Sequence, residues 1–289
     1  MLRPAVVLLA IAAAWLVAPP TAGRPDAQAA RATAADKPIV EQSLAGENSC
    51  GPCALYHALA WGDARLAAVA KKLGREPADA VARLIELYGG KPSEAYGGKR
   101  ARYEAASGIT WIDLGRVVDD LLADHRLPAA AAGYLDRRRD EPPFAHARRV
   151  HALLRDSLRA GFPPLLSIRS FCARRDPEKG GRDEDAFEWQ GLGGHWVAVV
   201  EVQAELAKDE EGFRIGFVDS ESGKLLFGYA FAEEARNFTA ARGDAEKWEW
   251  VTNRPFLLLA APRPTMSVQD APWHSRAIVT LNFAITRPK

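Results

Sequence analysis

Residues 49–55 read S-C-G-P-C-A-L and set two of the chain's three cysteines, Cys50 and Cys53, three positions apart. Such a pair has two chemistries open to it. Its sulfurs can cycle through one disulfide, or one thiolate can attack a carbonyl while the other cysteine packs. The preceding V-E-Q-S-L-A-G-E-N-S (40–49) is polar and glycine-containing, with no apolar strand leading into the pair. A proline-led apolar segment comes only far downstream. The nearest one, G-F-P-P-L-L-S-I (161–168), lies beyond several predicted helices.

The nucleophile reading fits the local pattern better. Gly51 and Pro52 lead into C-A-L-Y-H-A-L-A-W (53–61), and proline is tolerated in a first helical turn, whose N–H groups have no intrahelical acceptor. Cys50 then sits at the positive end of a helix dipole, which favours a thiolate, while Cys53 one turn in reads as a small apolar packing residue. A cysteine nucleophile needs a base, and the base needs an orienting partner. Of the six histidines, His195 is placed best: it follows Gly193-Gly194 and opens the apolar strand W-V-A-V-V-E-V (196–202). The next strand ends in G-F-V-D-S (216–220), and the end of one antiparallel strand lies beside the start of its neighbour, so Asp219 comes within reach of His195.

These residues have to be held by two kinds of element. Leu55, Ala58 and Leu59 share one face of the helix after Cys50. Asp63 is placed to cap a second helix (Leu66, Val69, Ala70 and Leu73 inward, Gly74 at its end), and Val81, Leu84, Ile85 and Tyr88 repeat the helical spacing up to Gly89-Gly90. Thr110 and Asp113 form a capping-box pattern before the stripe Leu114, Val117, Val118, Leu121 and Leu122, and a further helix is predicted over about 146–160. Then the period changes. Short apolar runs at 163–171, 195–202, 213–218, 225–231, 254–261 and 277–285 read as strands. Helices first and strands second predict an α+β fold with a mostly antiparallel sheet. The polar stretch from Cys172 to Gly194 reads as a long surface loop, and its Asp183, Glu184 and Asp185 lack the alternate spacing of a calcium loop.

In this order, Gln42 before Cys50-Gly51-Pro52, then Gly193-Gly194-His195-Trp196-Val197-Ala198-Val199-Val200, then Phe217-Val218-Asp219-Ser220, the chain resembles the papain-like cysteine peptidases. It is most similar to the branch related to the double-glycine leader peptidases that process bacteriocins, over about residues 40–260. The resemblance implies a papain-like fold, with an N-terminal helical half packed on a mostly antiparallel β-sheet. It makes Cys50 the nucleophile, His195 the general base and acid, Asp219 the group that orients His195, and Gln42 an oxyanion donor beside the Cys50 N–H. Trp189 and Trp196, flanking His195, are expected to line a substrate cleft, whereas Trp61, Trp111, Trp248 and Trp250 read as packing residues. The implied activity is that of a cysteine hydrolase, a peptidase acting on a peptide or protein through a thioester, without metal or organic cofactor. A thioester-forming transferase or deamidase uses the same triad, and a non-catalytic binding module and a thioredoxin-like dithiol oxidoreductase using Cys50 and Cys53 are the other classes.

Several positions depart from the family pattern. Gln42 lies eight residues before Cys50, Asn48 is a rival donor to the oxyanion, Ser220 stands where proline is frequent, and Cys53 replaces a small residue. Cys53 also permits an inactivating disulfide with Cys50.

Composition sets the outer bounds. The 289 residues are 48% hydrophobic and 26% charged with a net charge of +1, a globular composition with no electrostatic case for a nucleic-acid partner. Arg3, the apolar run 5–18 and P-P-T-A-G (19–23) read as a cleaved secretory signal over 1–23, the run being short for a membrane span, with a retained anchor as the alternative. That predicts a secreted or periplasmic protein. A flexible leader is predicted over 24–38, the peptidase domain over 39–262, and a C-terminal extension ending in a strand over 263–289.

Overall fold

Helix α1 (Gln42–Ala45) is a single turn, and α2 (Cys50–Trp61) follows it with every residue from Gly51 to Leu59 buried. A helix that is apolar all round belongs in the interior, and α2 is the element around which the others gather. The computed structural model describes residues 37–175, 187–208, 210–232, 240–244, 247–251, 256–261 and 277–288. The predicted signal over 1–23, nearly all of the leader and the carboxylates 183–185 lie outside the described residues.

Helices α3 (Ala64–Leu73) and α4 (Pro77–Leu84) pack on α2. Asp63 caps α3 as expected, its Oδ1 accepting the N–H groups of Arg65 and Leu66 at 2.9 Å. The α4 stripe carries on into a wider π turn at Ile85–Gly89, where Tyr88 is buried. A hairpin of two very short strands, β1 (Tyr103–Glu104) and β2 (Gly108–Ile109), precedes α5 (Trp111–Asp124). Thr110 caps α5 by accepting the Asp113 N–H at 3.1 Å. The return bond of a capping box is replaced: the buried Asp113 carboxylate accepts from the Thr110 and Ser93 hydroxyls and from the Glu94 N–H, and so ties the 93–94 loop to the helix. After β3 (Ala131–Tyr134) comes α6 (Pro143–Arg159).

The remaining strands are β4 (Leu165–Arg175), β5 (Phe187–Val202), β6 (Gly212–Asp219), β7 (Lys224–Phe231), β8 (Ala240–Asp244), β9 (Lys247–Val251), β10 (Leu257–Ala260) and β11 (Ala277–Thr286). Their pairing overturns the expected architecture. β4 pairs with β5, β5 with β6, β6 with β7, β7 with β10, β10 with β11, and β11 returns to β4, so six antiparallel strands close into a barrel. A papain-like fold with a helical half laid on a sheet is therefore not what this chain forms. The closing contact joins residues 165–172 to 277–285, and closure leaves β4 and β11 with neighbours on both sides instead of open edges. Strands β3, β8 and β9 are attached to this ring, β8 pairing parallel with β5. The stretch 172–194, read as a surface loop, is strand wherever it is described: 172–175 complete β4 and 187–194 begin β5.

Alternation along the strands divides the core in two. Leu165, Trp196, Ala198, Phe283 and Ile285 join α2, α3, α4 and α5 in one buried cluster. Leu166, Ile168, Val197, Val199, Phe213, Ile215, Phe217 and Leu281 join Val150 and Leu154 of α6 in the other. Among the described residues, no helix is long and apolar enough to cross a membrane.

Candidate active site

Cys50 is the first residue of α2 and remains partly exposed, whereas Cys53 is fully buried, and both are free thiols. The approach to Cys50 is fixed by the β1–β2 hairpin. The Tyr103 hydroxyl donates to Glu47 O at 2.6 Å, and the Asn48 side-chain amide donates to Ala105 O at 2.7 Å. Asn48 holds a left-handed φ of 51°, which a short polar side chain tolerates best after glycine. One N–H of its amide is thus engaged on the hairpin, which fixes the orientation of the side chain. Gly51 is packed so closely that an added Cβ would collide with Ile109 Cγ2 and lie 3.6 Å from both Leu114 Cδ2 and Trp196 Cδ1.

His195 shares a strand face with Val197 and Val199, and Asp219 shares one with Ile215 and Phe217. Both faces belong to the same core cluster. The β5–β6 register pairs Ala198 with Val218, so His195 and Asp219 stand diagonally across adjacent strands at the end where β6 finishes. His195 Nε2 lies 2.7 Å from Asp219 Oδ1 and is 5% exposed, and Asp219 is fully buried. With Nε2 donating to the carboxylate, Nδ1 is the nitrogen left free of it, and the Cys50 side chain lies near enough to His195 to help raise its pKa. Asp219 is itself held rigidly. Its oxygens accept the Glu221 N–H at 3.2 Å, the Ser222 N–H at 3.0 Å and the Ser222 hydroxyl.

Electrostatics favour a charged pair. Burial opposes a proton on His195, but the hydrogen bonds to Asp219 and Cys50 outweigh it and raise the imidazole to about 10. Burial likewise works against the Asp219 carboxylate, and the bonds from His195 and Ser222 override it and hold the group below its ordinary value. Cys53 has no such support. Burial pushes its thiol up to about 12, with the Ser49 and Ser220 hydroxyls only partly offsetting.

Gln42 is brought to the same place. Its N–H donates to Ser220 O at 2.7 Å, one residue past Asp219, and its carbonyl accepts from Gly46 N–H at 3.1 Å and from the Ser49 hydroxyl at 3.5 Å, one residue before Cys50. The side-chain Oε1 is buried. The two tryptophans fare differently. Trp196 is 6% exposed and wedged between Gly51 and Phe283, edge-on to the latter at 6.2 Å, so it packs the core instead of lining an open cleft. The side chain of Trp189 lies outside the described residues. Trp111, expected to be packed, is 40% exposed at the start of α5. Among the described residues, no cluster of His, Cys, Asp and Glu is arranged to hold a metal ion.

Sequence reasoning passed over His57, which lies wholly buried in α2 with Nε2 accepting the Val40 N–H at 2.9 Å. The signal was present, since positions 50, 53 and 57 fall on one helical face. No protein-family model, curated protein or solved structure matches the chain.

Proposed function

We propose that the protein is a cysteine hydrolase that cleaves a peptide or amide bond through a thioester at Cys50. The observation that carries this reading is the buried Asp219–His195 pair at 2.7 Å, close to a cysteine at a helix N-terminus. Asp219 fixes the ring and supports its positive charge. The imidazolium in turn supports a Cys50 thiolate, which attacks the carbonyl carbon. The resulting oxyanion meets the Cys50 N–H, one of the N-terminal amides with no intrahelical acceptor, and the side-chain amide of Gln42. Donors of this kind contribute roughly 3–4 kcal/mol in the transition state. The imidazolium then protonates the leaving amine as the tetrahedral carbon collapses to the thioester. Neutral His195 next takes a proton from water, which attacks the thioester and releases the acid and the thiolate. An amine acceptor in place of water makes the same site a transferase.

The dithiol alternative is disfavoured by the wholly buried, protonated Cys53 and by the orientation of His195 toward Asp219 and Cys50. The discriminating experiment is hydrolysis of a p-nitrophenyl ester, together with iodoacetamide labelling of Cys50, in His195→Ala and Cys53→Ala variants of the reduced protein. The hydrolase reading expects both signals to collapse without His195 and to survive without Cys53. Labelling that ignores His195 would overturn it.

A further inference from the structure

His57 lies two helical turns beyond Cys50 on α2, fully buried, and the reaction outlined above does not use it. Its Nε2 accepts the Val40 N–H at 2.9 Å. A ring nitrogen that accepts carries no proton, so this bond requires the neutral ring with its hydrogen on Nδ1. Burial holds the ring neutral by pushing His57 down to about 3, with Asp219 opposing and His195 adding to the effect. The bond to Val40 therefore persists at every pH at which a Cys50–His195 pair can work.

Val40 stands two residues before Gln42. The segment is tied at Val40 to the nucleophile's own helix, through His57, and at Gln42 to the turn after Asp219, through Ser220 O. Two buried atoms close to these ties have no partner, Gln42 Oε1 and His57 Nδ1: an amide oxygen that accepts and, in this tautomer, an N–H that donates. Oε1 is the buried end of the Gln42 amide, and the reaction outlined above uses its other end, the NH₂.

We propose that His57 is a positioning residue for the oxyanion donor: by accepting the Val40 N–H it sets the backbone of Gln42 against the helix that carries Cys50. This rests on the hydrolase reading and on the role given there to Gln42. It makes a demand that simple core packing does not. The loss of His57 must act on the step that builds the oxyanion and must act through Gln42. It must spare the thiolate–imidazolium pair, which alkylation reads without any oxyanion.

The test is a double-substitution cycle on the full chain, using p-nitrophenyl acetate turnover and iodoacetamide labelling of Cys50. Removal of an oxyanion donor costs about 10²–10³ in kcat, so His57→Leu, which only displaces that donor, should lower kcat by about 10- to 100-fold. KM and the Cys50 labelling rate should stay within about threefold of the parent. His57→Gln, whose amide oxygen can accept from Val40, should recover most of the loss. In a Gln42→Ala background, His57→Leu should lower kcat no further. Additive losses overturn the proposal, as does a labelling rate that falls in step with kcat. If the leucine variant does not fold, the same cycle with His57→Asn, whose amide is too short to reach Val40, carries the test. A Gln42→Ala variant with unchanged kcat overturns this inference by removing the group through which His57 would act. Cys50 labelling that ignores His195 would instead overturn the hydrolase reading.

Discussion

Asp219→Asn is the substitution whose outcome the structure constrains most tightly, because the molecule contains its own reference. His195 and His57 are both buried imidazoles, near enough for the charge on one to affect the other. His57 has no carboxylate bonded to it, and burial takes it down to about 3. His195 is bonded to Asp219 and Cys50 and is raised to about 10. Replacing the carboxylate by an amide keeps the shape and removes the charge, so His195 should move from about 10 toward the His57 end of this range. A fall of at least about one unit corresponds to ~1.4 kcal/mol of lost preference for the charged ring. The assay is the rate of Cys50 alkylation from about pH 4 to about pH 11, a window that spans the ordinary values of both groups. In the parent protein the His195 imidazolium should persist through neutral pH and be lost only near 10. In Asp219→Asn the alkylation rate near neutral pH should fall as that imidazolium is lost. An unchanged profile would mean that Asp219 is not what charges His195. Stability follows the same signs. A raised imidazole stabilises fully below its ordinary 6.5 and loses that contribution as pH rises through about 10. A lowered carboxylate stabilises above its ordinary 3.8 and loses that contribution as pH falls through its lower folded value. The thermal-midpoint deficit of Asp219→Asn should therefore be greatest between 3.8 and 6.5 and should fade toward pH 10.

Gly51→Ala should destabilise by about 1–3 kcal/mol and depress turnover, because its Cβ meets Ile109 Cγ2. Chemical denaturation should show Ile109→Ala restoring part of that stability in the double variant. Asn48→Gly keeps the left-handed backbone and loses the bond to Ala105, whereas Asn48→Ala loses the bond and adds about 1–2 kcal/mol of strain. Denaturation should rank Ala below Gly, and neither should reproduce the kcat loss of Gln42→Ala. Native labelling with iodoacetamide near neutral pH, mapped by mass spectrometry, should mark Cys50 and spare Cys53, whose thiol is buried and held protonated; equal labelling of the two would contradict the burial of Cys53. His57 is forced to be neutral, so its contribution is complete above 6.5 and erodes as pH falls toward about 3. Acid unfolding should be less steep in His57→Gln than in the parent.

How much of this was legible in the sequence differs by element for physical reasons. Helix caps and stripes depend on residues within a few positions of one another, and Asp63, Thr110 and the stripe of α5 could be read directly. Strand stretches could be read from their period, but a period names a face and not a partner. Nothing local in 165–172 says that it pairs with 277–285, so barrel closure was hidden although both strands were visible. β3 was missed because A-A-G-Y has four exposed residues and no alternation. The polar, glycine-rich sequence of 172–194 masked the continuation of β4 and β5. The β1–β2 hairpin left only a Ser107-Gly108 turn signal, in which Gly108 adopts a φ of 71°.

The candidate site was more readable than the fold that carries it, because its parts are boundary features. A cysteine at a helix start, an imidazole near the head of an apolar run and a carboxylate at a strand's last residue can each be recognised without knowing the sheet order. They meet here because β5 and β6 are sequential antiparallel neighbours, the one strand pairing that sequence adjacency does favour. The residues that hold those parts in place are a different matter. His57 looks like any residue of a buried helix until Val40, seventeen positions earlier, is seen to donate to it. Trp196, beside His195 in sequence, points away from it, because successive residues of a strand face opposite sides. The same alternation that delivers His195 to Asp219 turns Trp196 toward Gly51 and Phe283, and so packs the tryptophan against the helix that begins at Cys50.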